Sequence, residues 1–343
     1  MNYSEIHNLF LRCEKKFNKI CKNKLILIVN LQDYIAPSNS IKFFHANKIE
    51  CFSNQEYKEI ISAVEELKID YSVYFDEISF INDILNQSLD VNQIIVFNFA
   101  RNGLKEGKKS LIPSFCDLVG IKYTGSGAFT QSLCRNKFVY NKYLRDLGVF
   151  VPKTYALTPF GDWLGDNAPK DLNEIIIKPL AESSSIGVSK VMEYKNLELN
   201  NIEFINNQPM LIQEFIPGKE IECPFFIDEG KAVLLPTVEL YLKDKQFLDV
   251  DTSFNNNYSF SLFNSQKSEE LYAIIRKIIA ALGLTGYGRI DFRISQEGIP
   301  YLFDIATMPF ICKHSSFTFS MDTLNYKLSD IYKIILCLSG ENK

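Results

Sequence analysis

The sequence lacks the features of several protein classes. It contains only three histidines, and its eight cysteines are scattered without a Cys-x-x-Cys pair. This spacing indicates neither a zinc site nor a disulfide framework, because both need ligands or partners at characteristic separations. We therefore interpret the cysteines as reduced, mostly buried thiols.

Surplus positive charge and long apolar runs are also missing. Lys plus Arg number 37 against 41 Asp plus Glu, so the net charge of -4 offers no basic surplus for a nucleic-acid backbone or an anionic membrane. No segment reaches the ~18 consecutive apolar residues of a membrane span, and residues 1–5 do not begin a signal peptide. The sequence predicts a cytoplasmic protein without nucleic-acid or membrane partners.

The composition is that of a globular protein, with 46% hydrophobic and 23% charged residues in a chain of 343. Such a length allows about two or three domains. In the first part, short apolar runs alternate with segments of helical spacing, which predicts α/β layers. The predicted strands are residues 24–30, 71–75 and 93–99, and the predicted helices are residues 55–67 and 108–120.

The pattern changes after Gly148. One long helix is predicted over residues 130–148, because Gly148 and the later Pro152 form a normal helix stop. Strands are predicted at residues 175–178, 209–215, 221–227 and 232–239, and the last three are separated by turns too short for crossover helices, which predicts antiparallel sheet. We also expect a pair of strands at 287–295 and 300–305, helices at 268–282 and 323–338, and a surface loop at 255–257.

A strand near residue 290 carries three charges on one face. Alternation places Arg289, Asp291 and Arg293 on the same side. A two-residue turn at 297–298 would then set Asp291 opposite Asp304 and Arg289 opposite Ala306.

Directly opposed carboxylates repel each other unless a proton or a cation lies between them. Mg²⁺ is a natural cation for such a pair, since it prefers one or two carboxylates together with phosphate oxygens. The hairpin therefore indicates a metal site. The alternative is a solvated face on which the two arginines neutralise the two acids.

Two further segments have features of a nucleotide site. The strand that ends at Lys178 leads into a turn of small residues, 181–188, whose N–H groups and hydroxyls can surround a phosphate, although it is not a Walker loop. The strand before Pro217-Gly218 has extended backbone that can contact an adenine edge, and Glu220 after it can accept hydrogen bonds from ribose hydroxyls. Taken alone, the first segment is more typical of an ordinary turn, and the second is a weak signal that also fits a strand with a solvated turn.

Taken in order, these segments resemble the ATP-grasp superfamily, and most closely the D-alanine–D-alanine ligase family, over roughly residues 112–316. The resemblance is carried by residues 120–127 with Asn136-Lys137, Lys178-Pro179 with 183–187, and the segments 214–220, 288–293 and 304–315. It implies an α/β (α+β) ATP-grasp fold of three parts. These are a preATP-grasp N-terminal α/β domain (1–124), a small central nucleotide-binding domain (125–208) and a C-terminal antiparallel-sheet catalytic domain (209–343).

The resemblance also implies roles for individual residues in an ATP- and Mg²⁺-dependent ligase of small amino-acid-like substrates. Two lysines would contact ATP phosphates under a flexible loop, and one arginine would stabilise the acyl-phosphate and tetrahedral states. The implied residues are Lys137 and Lys178 (phosphates), Ser183, Ser184, Ser185 and Gly187 (loop, with Ser184 also catalytic), Glu214 and Ile216 (adenine hinge), Glu220 (ribose), Arg289 (catalytic), Asp291 and Asp304 (metal), and Ser315 with His314 (substrate).

The sequence departs from the family pattern at several positions. The amino-terminal Gly-Gly and Ser-x-Glu pattern has no counterpart after residues 25–30, and the His-Gly and Gly-Glu-Asp-Gly signature is missing near residues 100–107. Ser253-Phe254 replaces a Lys-Tyr pair, Ala306 replaces an asparagine of the metal shell, and Phe310 replaces a glycine at the oxyanion.

These departures predict a divergent carboxylate–amine ligase with substrates other than those of a cell-wall D-alanine ligase. A nucleotide-binding pseudoenzyme is the alternative from another class, and a ligase with a peptide or sugar-carrier acceptor is a third. The amphipathic residues 1–23 predict an extra helix that serves either in a homodimer contact or as a simple cap.

Overall fold

The computed structural model describes residues 3–35, 44–165, 168–243, 245–264 and 268–339. Its N-terminal part is a parallel sheet of order β2-β1-β3-β4 with helices packed on it. The apolar runs of β1 and β3 are buried throughout, as expected for a sheet covered on both faces. The elements are α1 (Tyr3–Ile20), β1 (Lys24–Val29), α2 (Asn54–Glu66), β2 (Tyr71–Tyr74), α3 (Glu77–Leu85), β3 (Ile94–Phe99), α4 (Leu111–Val119) and β4 (Lys122–Tyr123).

The middle of the chain forms two helices and a four-stranded antiparallel sheet of order β5-β8-β6-β7. The elements are α5 (Ala128–Arg135), α6 (Lys137–Asp146), β5 (Thr154–Leu157), β6 (Glu174–Pro179), β7 (Met192–Glu193) and β8 (Met210–Glu214). Strand β8 therefore belongs to the central sheet, although it lies beyond residue 208. The domain boundaries at 124 and 208 stay a prediction.

The single long helix predicted over residues 130–148 is wrong. The helix is interrupted at Asn136, which has non-helical backbone (φ -83°, ψ 85°). The Asn136 side chain accepts a hydrogen bond from the Val139 N–H. Asparagine is a favoured N-cap because its side chain satisfies an N–H of the first turn. The break places Lys137 at the start of α6.

The C-terminal part is an antiparallel sheet of order β12-β11-β9-β13-β14, with β10 paired to β9. The strand predicted over 232–239 is interrupted at Pro236, which offers no N–H to the ladder. The terminal helix predicted from residue 323 starts later, at Leu328. The elements are β9 (Lys219–Asp228), β10 (Lys231–Leu234), β11 (Val238–Leu242), α7 (Val250–Phe254), β12 (Tyr258–Leu262), α8 (Ser268–Leu282), β13 (Tyr287–Ile294), β14 (Pro300–Ala306), α9 (Ser316–Asp322) and α10 (Leu328–Cys337).

Helix α1 covers the core formed by the two ends of the chain. Its apolar face, Ile6, Leu9, Cys13 and Phe17, is buried in a cluster that also contains residues of β1, β3 and α10. This arrangement fits the capping role. Because the apolar face is buried within the chain, it is not exposed for the predicted homodimer contact. Among the residues that the structure describes, no helix combines the length and the apolar character needed to cross a membrane. Seven of the eight cysteines are buried, and all are free thiols.

Candidate active site

A cleft of about 530 Å³ lies where the N-terminal part, the central sheet and the C-terminal sheet meet. All but one of the residues assigned to the site line it; Gly187 does not. The lining residues are Lys137, Lys178, Ser183, Ser184, Ser185, Glu214, Ile216, Glu220, Arg289, Asp291, Asp304, His314 and Ser315. The structure thus brings together side chains that are up to 178 positions apart in the sequence, between Lys137 and Ser315.

The β13–β14 hairpin forms the floor of the cleft. Asp291 lies opposite Asp304, and Arg289 lies opposite Ala306, as predicted. The route differs from the prediction, because the turn between Ser295 and Ile299 contains three residues, and one extra residue, Phe303, bulges out of β14. The longer turn and the bulge each shift the register by one residue, and the two shifts cancel.

The hairpin face is buried at Asp291, whereas the Asp304 side chain is 28% exposed. The Asp291 side chain is only 4% exposed, and the Arg289 side chain 20%. Arg289 holds Asp291 through two hydrogen bonds, from Nε to Oδ1 and from Nη2 to Oδ2, both 2.8 Å long. Burial raises the pKa of Asp291, and Arg289 opposes that effect.

Glu222 on β9 is a residue of this floor that the sequence reasoning missed. It is the cross-strand neighbour of Asp291 on the side away from Asp304, so three carboxylates stand in one row. Glu222 Oε2 lies 3.0 Å from Arg289 Nη1 without hydrogen-bond alignment. Burial lowers the pKa of Arg289, but Asp291 and Glu222 outweigh it and raise the pKa. Strand alternation was an available signal, since Glu222 shares a face with Glu220.

The two lysines assigned to phosphate contacts differ in their surroundings. Lys137 donates to the Glu182 carbonyl at 2.8 Å, and its Nζ lies 3.3 Å from Asp304 Oδ1. The Lys178 side chain is buried and forms neither a hydrogen bond nor an ion pair within the described part of the chain. Burial lowers its pKa to about 7, and Lys137 adds to this effect. Burial alone would raise the pKa of Asp304, but Lys137, Lys178 and Arg289 lower it.

Arg293 organises the segment assigned to adenine and ribose. Its Nε donates to the Ile216 carbonyl at 2.7 Å, its Nη2 to the Gly218 carbonyl at 3.0 Å, and its Nη1 to Glu220 at 3.3 Å. Burial raises the pKa of Glu220 to about 7, and Arg293 opposes this shift. Glu214 accepts a hydrogen bond from the Lys153 N–H. The arginine thus fixes the backbone that faces the cleft.

The turn of small residues 181–188, the serine turn, is attached to two other parts of the chain. Ser183 donates to Glu50, which lies between β1 and α2, and Ser185 donates to the Leu248 carbonyl at 2.6 Å. Ser184 and Ser185 both have left-handed backbone, with φ of 53° and 56°. Gly187 also has positive φ, and a Cβ there would lie 2.2 Å from Ile205 Cδ1. Only glycine therefore fits without displacing its neighbour.

The two residues assigned to the substrate, Ser315 and His314, already have contacts within the chain. The Ser315 hydroxyl donates to the Cys312 carbonyl at 3.0 Å and accepts from the Thr318 N–H as the N-cap of α9. His314 packs against Tyr258, with ring centroids 4.7 Å apart, and burial lowers its pKa.

Three residues that depart from the family pattern also line the cleft. Ser253 lies in α7, Ala306 ends β14, and Phe310 follows that strand. Phe310 packs against Phe52 with ring centroids 4.8 Å apart. The position therefore contributes to aromatic packing between the N-terminal part and the C-terminal sheet.

A buried ion network joins the serine turn to the N-terminal part, and no sequence pattern indicated it. Lys108 Nζ lies 2.7 Å from Glu50 and 2.6 Å from Glu182. Arg135 Nη2 lies 3.7 Å and 3.9 Å from the same two acids. Burial opposes ionisation of Glu50, but Lys108 and Arg135 lower its pKa to about 2.

Comparison with known proteins agrees with this architecture. The family model for the D-Ala D-Ala ligase C-terminus matches residues 170–336, just under half of the chain. The D-alanine–D-alanine ligase of Bacillus anthracis, solved in complex with ATP, superposes with a TM-score of 0.69 at 19% identity, covering 92% of this chain and 97% of that one. The chain has the fold of D-alanine–D-alanine ligases and resembles that family in sequence.

The relatives that the chain resembles in sequence are D-alanine–D-alanine ligases. D-alanine–D-alanine ligase B of Clostridium perfringens is 26% identical over 267 residues, 76% of this chain and 87% of that protein. D-alanine–D-alanine ligase of Parabacteroides distasonis is 29% identical over 209 residues, which span only 63% of its length. The VanG D-Ala:D-Ser ligase of Enterococcus faecalis superposes with a TM-score of 0.64 at 18% identity, covering 92% of this chain and 98% of that one. The predicted resemblance and fold class are confirmed.

Nucleotide binding is expected to take up a proton through Lys178. With a pKa of about 7, the free lysine is largely neutral at pH 8, whereas a phosphate contact requires and stabilises the ammonium form. ATP affinity should therefore fall as pH rises above 7, by up to about tenfold per pH unit. At pH 6, Lys178→Met should weaken binding at least about tenfold, as expected for a lost charge-assisted contact.

Calorimetry in buffers of different ionisation enthalpy measures both the affinity and the proton uptake. Lys170→Met is the matched control, because Lys170 is exposed in the same part of the chain. Equal proton uptake by the parent and Lys178→Met would contradict the assignment.

Proposed function

We propose that the protein is an ATP-dependent ligase that joins the carboxylate of one amino-acid-sized substrate to the amine of another through an acyl phosphate. The observation that carries this proposal is Arg289, which the two acids Asp291 and Glu222 hold at the floor of the cleft beside Lys137 and Lys178. A protein that only bound nucleotide would need the lysines but not a partly buried arginine placed among the acids.

The cleft fits a nucleotide. Its volume of about 530 Å³ lies within the range of small-molecule sites. Lys178 is a buried cation without an anionic partner within hydrogen-bond range in the described part of the chain, which is the situation that a phosphate would relieve. At the other end, Arg293 holds the Ile216 carbonyl and Glu220 at the positions assigned to adenine and ribose.

The acids fit Mg²⁺ that is shared with phosphates rather than held by protein alone. Within the described ranges, no group of three His, Cys, Asp or Glu side chains could enclose a metal ion. Asp304 and Asp291 would hold the ion, a donor set that suffices when phosphate oxygens and waters complete it. Bound there, Mg²⁺ would neutralise charge on the transferring phosphoryl group.

Side chains of the protein would stabilise the charges that develop during the reaction. Lys137 and Lys178 place positive charge where phosphate negative charge accumulates, and Arg289 provides N–H donors toward the oxyanion of the addition step. The serine turn, attached to Glu50 and to the Leu248 carbonyl, closes the cleft and excludes water that would hydrolyse an activated acyl group.

The pseudoenzyme remains a second candidate because of one observation. Both acids assigned to the metal are already paired with cations of the chain, Asp291 with Arg289 and Asp304 with Lys137. The side chain of Ala306, in the same row, offers no oxygen.

We also propose that the protein is cytoplasmic. The homodimer stays a separate prediction.

The test is an assay of the full chain with ATP, Mg²⁺ and pooled D- and L-amino acids. We expect release of ADP and phosphate that depends on the amino acids, and mass spectrometry of the products should identify an amide. Tight ATP binding in calorimetry without ADP release from any pool would favour the pseudoenzyme. Release with a peptide or sugar-carrier acceptor alone would leave the chemistry but change the acceptor class.

A further inference from the structure

The N-terminal end of the cleft contains more buried cations than buried anions. Arg101, Lys108, Lys109 and Arg135 lie close enough to influence one another electrostatically, and all four are buried. The acids that face them are Glu50 and Glu182. This cluster adjoins the serine turn through Glu182 and Ser183 but does not include the lysines assigned to ATP phosphates, and the resemblance to D-alanine–D-alanine ligases gives it no role.

The two acids are engaged by partners other than Lys109 and Arg101. Lys108 contacts both of them, and Arg135 lies within 4 Å of both. Ser183 donates a further hydrogen bond to Glu50. Glu182 also accepts hydrogen bonds from the side-chain amides of Asn206 and Gln208, each at 3.1 Å. No carboxylate oxygen of this network is left over for the remaining two cations.

Lys109 and Arg101 are the cations that lack an acidic partner, and both line the cleft. Lys109 is 9% exposed and forms neither a hydrogen bond nor an ion pair with the described residues. Burial lowers its pKa, and Arg101 and Arg135 add to the effect. Arg101 is 2% exposed, and its Nε has no hydrogen-bond partner in the described ranges.

The surroundings of Arg101 fix its position at the substrate end of the cleft. Its guanidinium lies 4.9 Å from the centroid of the Phe52 ring and 4.2 Å from that of Phe310. Its Nη2 donates to the Met308 carbonyl at 3.4 Å. Met308 and Phe310 lie on the segment that leads to Ser315, whereas Arg293 and Glu220 mark the nucleotide end.

We propose that Lys109 and Arg101 form an anion-binding subsite, which takes a carboxylate of the substrate other than the one that is activated or joined. The proposal rests on the proposed function and deepens it, since it names amino acids with a second acid group as the substrate class. A buried cation without a partner is costly unless a ligand supplies the opposite charge. The nucleotide phosphates are the other source of negative charge, and the test separates the two sources.

The direct test is calorimetric titration of the full chain with glutarate, a dicarboxylate that has no amine and cannot be ligated to itself. We expect saturable binding to the parent, binding at least about tenfold weaker in Lys109→Met, and recovery in Lys109→Arg. Both variants should bind a non-hydrolysable ATP analogue with the affinity of the parent. Lys68→Met is the matched control, because Lys68 shares the left-handed backbone of Lys109, with φ of 55° against 68°, but is exposed.

A second measurement uses the ADP-release assay. ADP release should be faster with glutamate and aspartate than with glutamine and asparagine. Lys109→Met should remove that preference by raising KM for the two acids. Equal glutarate affinity in the parent and Lys109→Met, or no saturable binding to the parent, overturns the subsite. A loss of affinity for the ATP analogue in Lys109→Met assigns the lysine to phosphate and also overturns it. Absence of ADP release with every amino acid defeats the proposed function alone, and glutarate binding then still decides the subsite. If Lys109→Met does not fold, Lys109→Gln provides the same comparison.

Discussion

The Arg289→Met variant is expected to lose at least about two orders of magnitude in amino-acid-dependent ADP release, the usual effect of removing an oxyanion donor. It should also lose about 3–5 kcal/mol of unfolding free energy, because removing one partner of a buried ion pair leaves the other uncompensated. In this protein two acids lose their partner, since the side chains of Asp291 and Glu222 are only 4% and 6% exposed. Chemical denaturation measures the second loss, and the ADP assay the first.

A double variant separates the structural and catalytic contributions of Arg289. In Arg289→Met with Glu222→Gln, one of the two uncompensated charges next to the methionine is removed and both acids assigned to the metal are kept, so a coupling energy of about 0.5–3 kcal/mol should return to stability. Activity should stay as low as in the single variant. Arg276→Met, on the exposed face of α8, is the control and should change stability by no more than about 0.5 kcal/mol. Recovery of activity together with stability would show that Arg289 only holds the floor together.

The arrangement of the acids on the cleft floor could be predicted because it lies within one hairpin. Strand alternation determines that Arg289 and Asp291 share a face, and a short connection places Asp304 within reach. Yet the predicted register was correct only because two local deviations cancel, the three-residue turn and the bulge at Phe303. Turn length and bulges depend on side-chain packing against neighbouring strands, which the pattern of a single strand does not reveal.

The features that were missed depend on contacts between distant segments. Glu50, Lys108 and Glu182 form one buried network although 58 and 74 positions separate the lysine from the two acids. The break of the helix at Asn136 was missed for a different reason. Asparagine occurs within helices as well as at N-caps, so the sequence alone does not show where the helix ends. In the structure, the Lys137 N–H donates to the Leu180 carbonyl next to the serine turn, and this contact between distant segments accompanies the start of α6.

The two aspartates of the floor should respond differently to amidation, because their partners differ. Asp304→Asn should raise the Mg²⁺ concentration for half-maximal turnover at least about tenfold, the effect of losing one charge-assisted contact. Its stability should change little, because the Asp304 side chain is 28% exposed and Lys137 keeps the Glu182 carbonyl as acceptor. Asp291→Asn should instead lower the unfolding free energy by about 1.5–3 kcal/mol, since it weakens two buried hydrogen bonds to Arg289.

Mg²⁺ titration of the ADP assay and chemical denaturation of the same samples distinguish these outcomes. Asp70→Asn is the control, because Asp70 is exposed and far along the chain from the hairpin. If both variants keep the parent's Mg²⁺ requirement and lose only stability, the aspartates neutralise Arg289 and Lys137 and hold no metal. If Asp304→Asn alone shifts the requirement, the ion is bound at the edge strand β14, where the paired lysine can exchange its acid for a phosphate. That result would explain how the row keeps function without an oxygen ligand at Ala306, because phosphate and water oxygens complete the coordination of Mg²⁺.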